Sequence, residues 1–262
     1  MKNVVITGST RGLGLAMARE FLKAGCNVTI SGSKPDSFNR AKEELKEFEK
    51  QLIFISCNVR AISDIKNLWI KSAERWGGID VWINNAGQNC PREFMWDTEE
   101  SYIDAVVDTN IKGVMYGSKV AVENMLKQGH GQVWNMEGLG SNDMIIEKTI
   151  LYGTSKRALT YFTKSLAKEL KDSPVKVGRL SPGMMLTEFI TKSPTGEPSS
   201  VTEDNQFKKI FNILADKPEA VAKFFIPRIL ANTKQDAHLE WLTNVKSAQR
   251  FMMAPFKKRK LI

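Results

Sequence analysis

The feature that most restricts the fold of this chain is a repeated exchange between short apolar runs and helix-patterned stretches. Val4-Val5-Ile6, Val28-Thr29-Ile30, Leu52 to Ser56, Ile79 to Ile83, Gln132 to Met136 and Val175 to Leu180 read as strands. They lack a regular apolar–polar alternation, which predicts burial on both faces of a sheet. Helical patterns fill the gaps at 36–50, 62–76, 98–127 and 152–171. After the first strand, Leu15, Ala18 and Leu22 share one helical face, and Gly25 stands where a helix C-terminal glycine belongs. Strands alternating with helices predict an α/β fold, a doubly wound parallel sheet of the Rossmann type.

The chain has 262 residues, enough for one such domain with a large core. Beyond Gly183 the pattern changes. The segment 193–205 is rich in Pro, Ser, Thr and Gly and reads as a loop. Short helices are expected at 207–214 and 218–230, the second interrupted near Pro227, and a last strand at 239–242. One domain over 1–262 is expected, with a core over 1–183 and a lid with a C-terminal extension over 184–262.

Composition excludes several classes. Hydrophobic residues make up 42% and charged residues 26%, as in a globular domain. No run reaches the roughly 18 apolar residues of a membrane span. Cys26, Cys57 and Cys90 are few, odd in number and without metal-ligand spacing, so free thiols in a reducing compartment and no metal are expected. The first strand begins almost at Met1, so no targeting segment is expected ahead of it. The formal charge is +9, partly from Lys257-Lys258-Arg259-Lys260. This run reads as a solvated tail. Alternatively, with Phe251-Met252-Met253 before it, it reads as a weak membrane contact or a subunit interface. No aromatic–basic interleaving indicates nucleic acid.

The turn after the first strand reads Thr7-Gly8-Ser9-Thr10-Arg11-Gly12-Leu13-Gly14. A glycine-rich turn between a strand and a helix lets the backbone approach a pyrophosphate, and the helix N-terminus adds free N–H groups and positive dipole. A dinucleotide is therefore expected at Gly8, Ser9, Thr10, Arg11, Gly12, Leu13 and Gly14. The second strand ends Ile30-Ser31-Gly32-Ser33-Lys34, with no acid to accept from a ribose 2′-hydroxyl. Arg11, Ser33 and Lys34 suit a 2′-phosphate instead, which favours NADPH over NADH.

Thr-Gly-x-x-x-Gly-x-Gly resembles the short-chain dehydrogenase/reductase family, and further motifs agree over residues 3–190. They are Asn84-Asn85-Ala86-Gly87, Asn110, Tyr152-Gly153-Thr154-Ser155-Lys156, and Ser181-Pro182-Gly183 followed by Thr187. Asn58-Val59 stands where many members carry Asp-Val near the adenine. The resemblance implies further cofactor contacts at Asn58, Val59, Asn85, Ala86, Gly87, Pro182, Gly183, Met185 and Thr187, besides Tyr152 and Lys156. It also implies a homo-oligomer, and Asn110 as holder of a proton-relay water. Tyr152 and Lys156 are four apart, so they share a helix face. A free phenol titrates near pH 10, and a nearby ammonium lowers that value, so Tyr152 is expected to hand its proton to a carbonyl oxygen as hydride arrives at carbon.

One residue departs from the family pattern. The serine that usually ends the fifth strand is replaced within Asn135-Met136-Glu137-Gly138-Leu139-Gly140-Ser141, with Gly138 in its place. Ser141 replaces the donor if the loop folds back; Glu137 assists if protonated, or fixes a water; glycine N–H groups offer a third route. This segment resembles the Asn-[Met/Ile]-Asp-Gly-Ala-Gly-Ser of chlorophyll(ide) b reductases. The similarity continues through Tyr152 to Arg157, Leu180 to Met184, Phe211 to Val221 and Trp241 to Ala248. It implies reduction of the 7-formyl group of chlorophyll b or chlorophyllide b, and a cytoplasmic or plastid-stromal protein. Such a ring needs an apolar mouth. Met184, Met185, Leu186, Phe189 and Ile190 offer one, or pack a lid helix. Two alternatives remain open from sequence: a reductase of another bulky carbonyl compound, and a non-catalytic NADPH-binding partner.

Overall fold

The computed structural model describes residues 1–192, 196–197, 199, 204–256 and 259–262. Its strands are β1 (Asn3–Ile6), β2 (Asn27–Gly32), β3 (Leu52–Ser56), β4 (Val81–Asn84), β5 (Gly131–Met136), β6 (Val175–Ser181) and β7 (Ala237–Glu240). Among the described residues they form one sheet in the order β3-β2-β1-β4-β5-β6-β7, every pair parallel. From β1 the chain winds outward to β3, then returns to β4 on the other side of β1. That reversal opens a crevice at the carboxyl ends of β1 and β4, where ligands of doubly wound sheets bind.

The sheet is buried on both faces, as its apolar runs required. Val4 and Ile6 enter one core with α1 (Gly12–Lys23) and α9 (Pro218–Leu230). Val5 enters the opposite core with α3 (Ile62–Trp76), α5 (Gly113–Gln128) and α6 (Ile150–Glu169). Trp82, Trp134, Phe21, Phe211 and Phe225 are the largest fully buried side chains. Each contributes roughly 2–3 kcal/mol by leaving water.

Several elements differ from their sequence expectation. The helix expected over 36–50 is only α2 (Phe38–Glu44), flanked by 3-10 turns. Phe38, Ala41 and Leu45 anchor its first half in the core, whereas no residue from Lys46 to Gln51 is buried, and packing is what sustains a short helix. The stretch expected at 98–127 is α4 (Glu100–Val106), a π-helical turn at Val107–Lys112, then α5. Conversely, α9 runs unbroken through Pro227. The lost hydrogen bond costs about 3 kcal/mol, but Val221, Ala222, Phe225, Ile226 and Ile229 on this helix are all buried against the core.

The C-terminal part also contributes to the sheet and the core. β7 joins the sheet beside β6, two residues earlier than its apolar centre suggests, and α9 belongs to the core. Short α7 (Glu188–Thr191), α8 (Asn205–Leu214) and α10 (Asn244–Met253) complete this part, with α8 and α10 packed together. Asp216 ties them together. Its backbone bonds Met184 and Leu186, while its carboxylate accepts from Trp241 (2.7 Å), Arg250 (2.7 Å) and Arg259 (2.8 Å). Arg259 therefore turns inward and is no part of a solvated tail, whereas Lys257 and Lys258 lie outside the described residues, as does most of the loop expected at 193–205.

Candidate active site

The turn after β1 is built by close approach. Gly8 has φ +61°, and a Cβ there would lie 2.8 Å from the Ala86 Cα. At Gly14 a Cβ would lie 2.6 Å from both Asn85 Nδ2 and the Gly8 carbonyl. Asn85 Nδ2 donates to the carbonyls of Thr7 and Gly8 at 2.9 Å, and Thr7 Oγ1 accepts from the Asn85 and Ala86 N–H groups at 3.0 Å. These bonds lock the β1 and β4 ends together at the switch point. Helix α1 has no side-chain cap and no acid in its first turn. Gly12 has φ +57°, and a Cβ on it would meet only Thr187, at 3.6 Å. The face of the turn between Gly12 and Thr187 is therefore a cradle, and it fits a dinucleotide pyrophosphate.

Some expected cofactor residues are turned inward. Ser9 Oγ donates to the Ile6 carbonyl at 2.7 Å and accepts from the Ser31 N–H at 3.0 Å, so it staples the turn to β2. Thr10 is buried against Gly32, where a Cβ would lie 2.8 Å from its methyl. Val59 is buried against Gly113, and the Asn58 N–H donates to Asp64 at 2.9 Å. Leu13 is buried in the core under the turn. Pro182 is buried, whereas Gly183, at φ +70°, is exposed, and a Cβ on it would lie 2.5 Å from the Leu242 Cβ.

At the far end of the crevice, Ser33 and Lys34 are exposed. Arg11 pairs with Glu188 of α7 at 3.1 Å, and Arg40 reaches the same carboxylate at 3.6 Å. Spacing along the chain did not disclose this contact, which the fold makes by bringing Arg40 of α2 to α7.

Tyr152 and Lys156 share one face of α6, as their spacing requires. Lys156 is buried; its Nζ donates to the Met136 carbonyl at 3.0 Å and sits 5.7 Å from the centre of the Tyr152 ring. Burial pulls its ammonium down to about 8, against an opposing pull from the Glu137 charge. Burial pushes the Tyr152 phenol up, with Cys90 adding to the rise. The expected lowering by the lysine does not prevail here; burial of the phenol sets the direction. Phe189 covers the same ring, with centroids 5.8 Å apart. Asn110 lies in the π turn, a geometry frequent at functional sites. Its Oδ1 accepts from the Gln88 N–H at 2.7 Å, and its Nδ2 donates to the Gln88 carbonyl (3.0 Å) and Ser155 Oγ (3.1 Å). It clips the loop after Gly87 to α6.

Opposite Tyr152 the 137–141 segment folds into a tight loop, with the Ser141 N–H bonded to the Gly138 carbonyl at 3.1 Å. A Cβ at Gly138 would lie 2.6 Å from the Tyr152 hydroxyl. The phenol occupies the space a serine would take. Ser141 does fold back, but its Oγ accepts from the Gly138 N–H at 3.1 Å and donates to the Lys156 carbonyl at 3.3 Å, so it holds the loop. Glu137 is buried and held near pKa 2: burial works against its charge, and bonds from His238, Ser181 and Thr160 overcome it. These bonds favour the charged carboxylate over the protonated acid. Arg179, His238, Ser181 and Thr160 were invisible as its partners in the sequence.

The profile of the short chain dehydrogenase family matches residues 2–198. The chain belongs to the short-chain dehydrogenase family. Like its family, it is an NAD(P)H-dependent oxidoreductase. It is 35% identical over 256 residues to the Arabidopsis thaliana protein "Chlorophyll(ide) b reductase NOL, chloroplastic", covering 94% of this chain and 71% of the relative. It is 34% identical to the "Probable chlorophyll(ide) b reductase NYC1, chloroplastic" of Oryza sativa subsp. japonica, covering 92% of this chain and half of that longer relative. Among solved structures, "ElxO with NADP Bound" superposes with a TM-score of 0.81 at 25% identity, over 95% of this chain and 99% of that one. This short-chain dehydrogenase has no described helix long and apolar enough to cross a membrane.

Proposed function

We propose that the protein is an NADPH-dependent reductase of the 7-formyl group of chlorophyll b or chlorophyllide b, forming the 7-hydroxymethyl pigment. The observation that carries this reading is similarity to chlorophyll(ide) b reductases across 94% of the chain, well past the 2–198 stretch common to the whole family. The Gly138–Tyr152 arrangement is consistent with it.

NADPH, when bound, supplies the hydride. The chain's own residues do the rest. The N–H groups of Gly12, Leu13 and Gly14 would hold the pyrophosphate, and Arg11, Ser33, Lys34 and Arg40 would supply charge and donors to the 2′-phosphate. Asn85, Ala86, Gly87, Pro182, Gly183, Met185 and Thr187 shape the nicotinamide side. A phenol raised by burial keeps its proton until negative charge develops on the formyl oxygen, and Tyr152 then donates it. The Lys156 ammonium beneath the ring favours that transfer.

A macrocycle needs a broad apolar rim. Met184, Met185, Leu186 and Phe189 form one side. The loop before α6 leaves Met144 and Ile145 exposed, and Lys148 of that loop lies over the Phe94 ring, which stacks on exposed Trp96; these are proposed as the other side. The 184–262 region then acts partly as lid and partly as core. Exposed Phe251, Met252 and Met253 on α10 support peripheral contact with an anionic pigment-bearing membrane. Relatives named chloroplastic favour a plastid setting.

The test is substrate choice. The purified protein with NADPH is given chlorophyllide b, chlorophyll b and a set of small aromatic aldehydes. Preference for the pigments in kcat/KM is expected; turnover of the small aldehydes alone would reject the pigment.

A further inference from the structure

Three residues at the end of β5 pass directly beneath the Tyr152–Lys156 pair. The Met136 carbonyl takes the Lys156 ammonium, Gly138 leaves room for the Tyr152 hydroxyl, and between them Glu137 turns its side chain into the protein. Its carboxylate is gripped from three elements. Thr160 of α6 donates to Oε1 at 2.9 Å, with Arg179 of β6 at 3.5 Å. Ser181 of β6 donates to Oε2, and His238 of β7 stands 3.1 Å from the same oxygen. Asp236 in turn faces the Arg179 guanidinium at 3.3 Å. Burying a carboxylate costs several kcal/mol unless every lone pair is served, and nothing in the sheet itself requires an acid there.

We propose that Glu137 is a positioning residue of the reductase site, whose fixed negative charge keeps the buried Lys156 in its ammonium form beneath Tyr152. The proposal rests on the reductase reading for its consequence, though the charge relationship stands on its own.

Lys156 is desolvated on every side, which favours its neutral form. Of the groups around it, Tyr152 on its own helix is protonated, and Cys90 beyond Tyr152 is a thiol whose titration is raised by burial. Arg179 and His238 lie behind Glu137 and act on the lysine only by offsetting that carboxylate. Glu137 follows the Met136 whose carbonyl takes the ammonium, and it is bonded by Thr160 one turn along α6 from Lys156, so its carboxylate opposes loss of the lysine's proton. A glycine at 138 gives Tyr152 its place but supplies no hydroxyl. The neighbouring acid then anchors the site electrostatically from below, and His238, more than a third exposed, connects that anchor to solvent.

The test uses the full chain with NADPH and chlorophyllide b, and reads the alkaline limb of kcat/KM against pH. In Glu137→Gln the limb is expected to move down by about one unit or more from its wild-type position, with Glu137→Asp retaining it. His238→Lys, which places a permanent cation beside the carboxylate, should move it in the same direction as Glu137→Gln. NMR titration of 13C-labelled lysine Cε, assigned through Lys156→Arg, reads the same midpoint without substrate. It therefore separates failure of this inference from failure of the reductase reading. Wild-type midpoints in both Glu137→Gln and His238→Lys would overturn the proposal. Should Glu137→Gln not fold, His238→Lys alone decides it.

Discussion

Gly138 and the Tyr152 hydroxyl compete for one space: a Cβ on the glycine would sit 2.6 Å from the phenolic oxygen. The family's usual serine is therefore not simply missing. Its place is filled by the residue it would normally assist.

Restoring the serine should harm the enzyme. Gly138→Ser is expected to fold, because the Tyr152 ring can swing on α6, but to lower kcat about 100-fold by displacing the proton donor. Gly138→Ala should do nearly the same. Steady-state kinetics beside a thermal melt check this; a gain in kcat with Gly138→Ser would show that the phenol has room to spare.

The cofactor end carries a second prediction. Glu188 pairs with Arg11 and Arg40, the two guanidiniums proposed to meet the 2′-phosphate. Arg11→Ala should raise the Kd for NADPH by about tenfold or more and leave NADH nearly unchanged. Glu188→Gln should tighten NADPH, most visibly at low salt. Cofactor fluorescence titrations read both; equal effects on the two cofactors would remove the arginines from this role.

The apolar rim is tested by size. Ile145→Ser and Trp96→Ser each remove an exposed apolar side chain from the loops flanking Tyr152. Their KM for the pigment should rise about fivefold, the ~1 kcal/mol of a partly buried apolar contact, while small aldehydes are unaffected. A parallel loss for both substrates would place the defect in the catalytic centre.

Acid stability follows from Glu137. Its folded pKa of about 2 lies below the roughly 4.3 of a free glutamate. The charged form is favoured by the fold, so its contribution is complete above about pH 4.3 and lost as pH falls toward about 2, on the order of 3 kcal/mol in total. Urea melts between pH 5 and 2 should show a shallower decline in Glu137→Gln than in the wild type. Parallel declines would mean the carboxylate is not held as charged.

What the sequence revealed followed contiguity. The β1 turn, Asn84 to Gly87 and Tyr152 to Lys156 are short segments whose chemistry is local, and each lies where its motif implied. Apolar runs located the strands because burial on both faces leaves no room for polar positions. The rest depends on distant partners. Glu137 meets residues at 160, 179, 181 and 238, so no spacing could disclose that it is a caged carboxylate. The straight course of α9 through Pro227 needed knowledge of the core it packs against. The two-residue displacement of β7 was hidden because Leu239 and Trp241 draw the eye to apolar residues, whereas pairing with β6 sets the register.

The central claim is that Tyr152 delivers the proton while a pigment formyl group is reduced. The most direct measurement follows the absorption spectrum of chlorophyllide b with NADPH, using wild-type protein and Tyr152→Phe at matched cofactor occupancy. The account predicts a blue shift with stoichiometric NADPH loss for the wild type. For Tyr152→Phe it predicts a rate lower by about 100- to 10,000-fold with NADPH still bound. An unchanged pigment spectrum with wild-type protein, or full turnover by Tyr152→Phe, would contradict it.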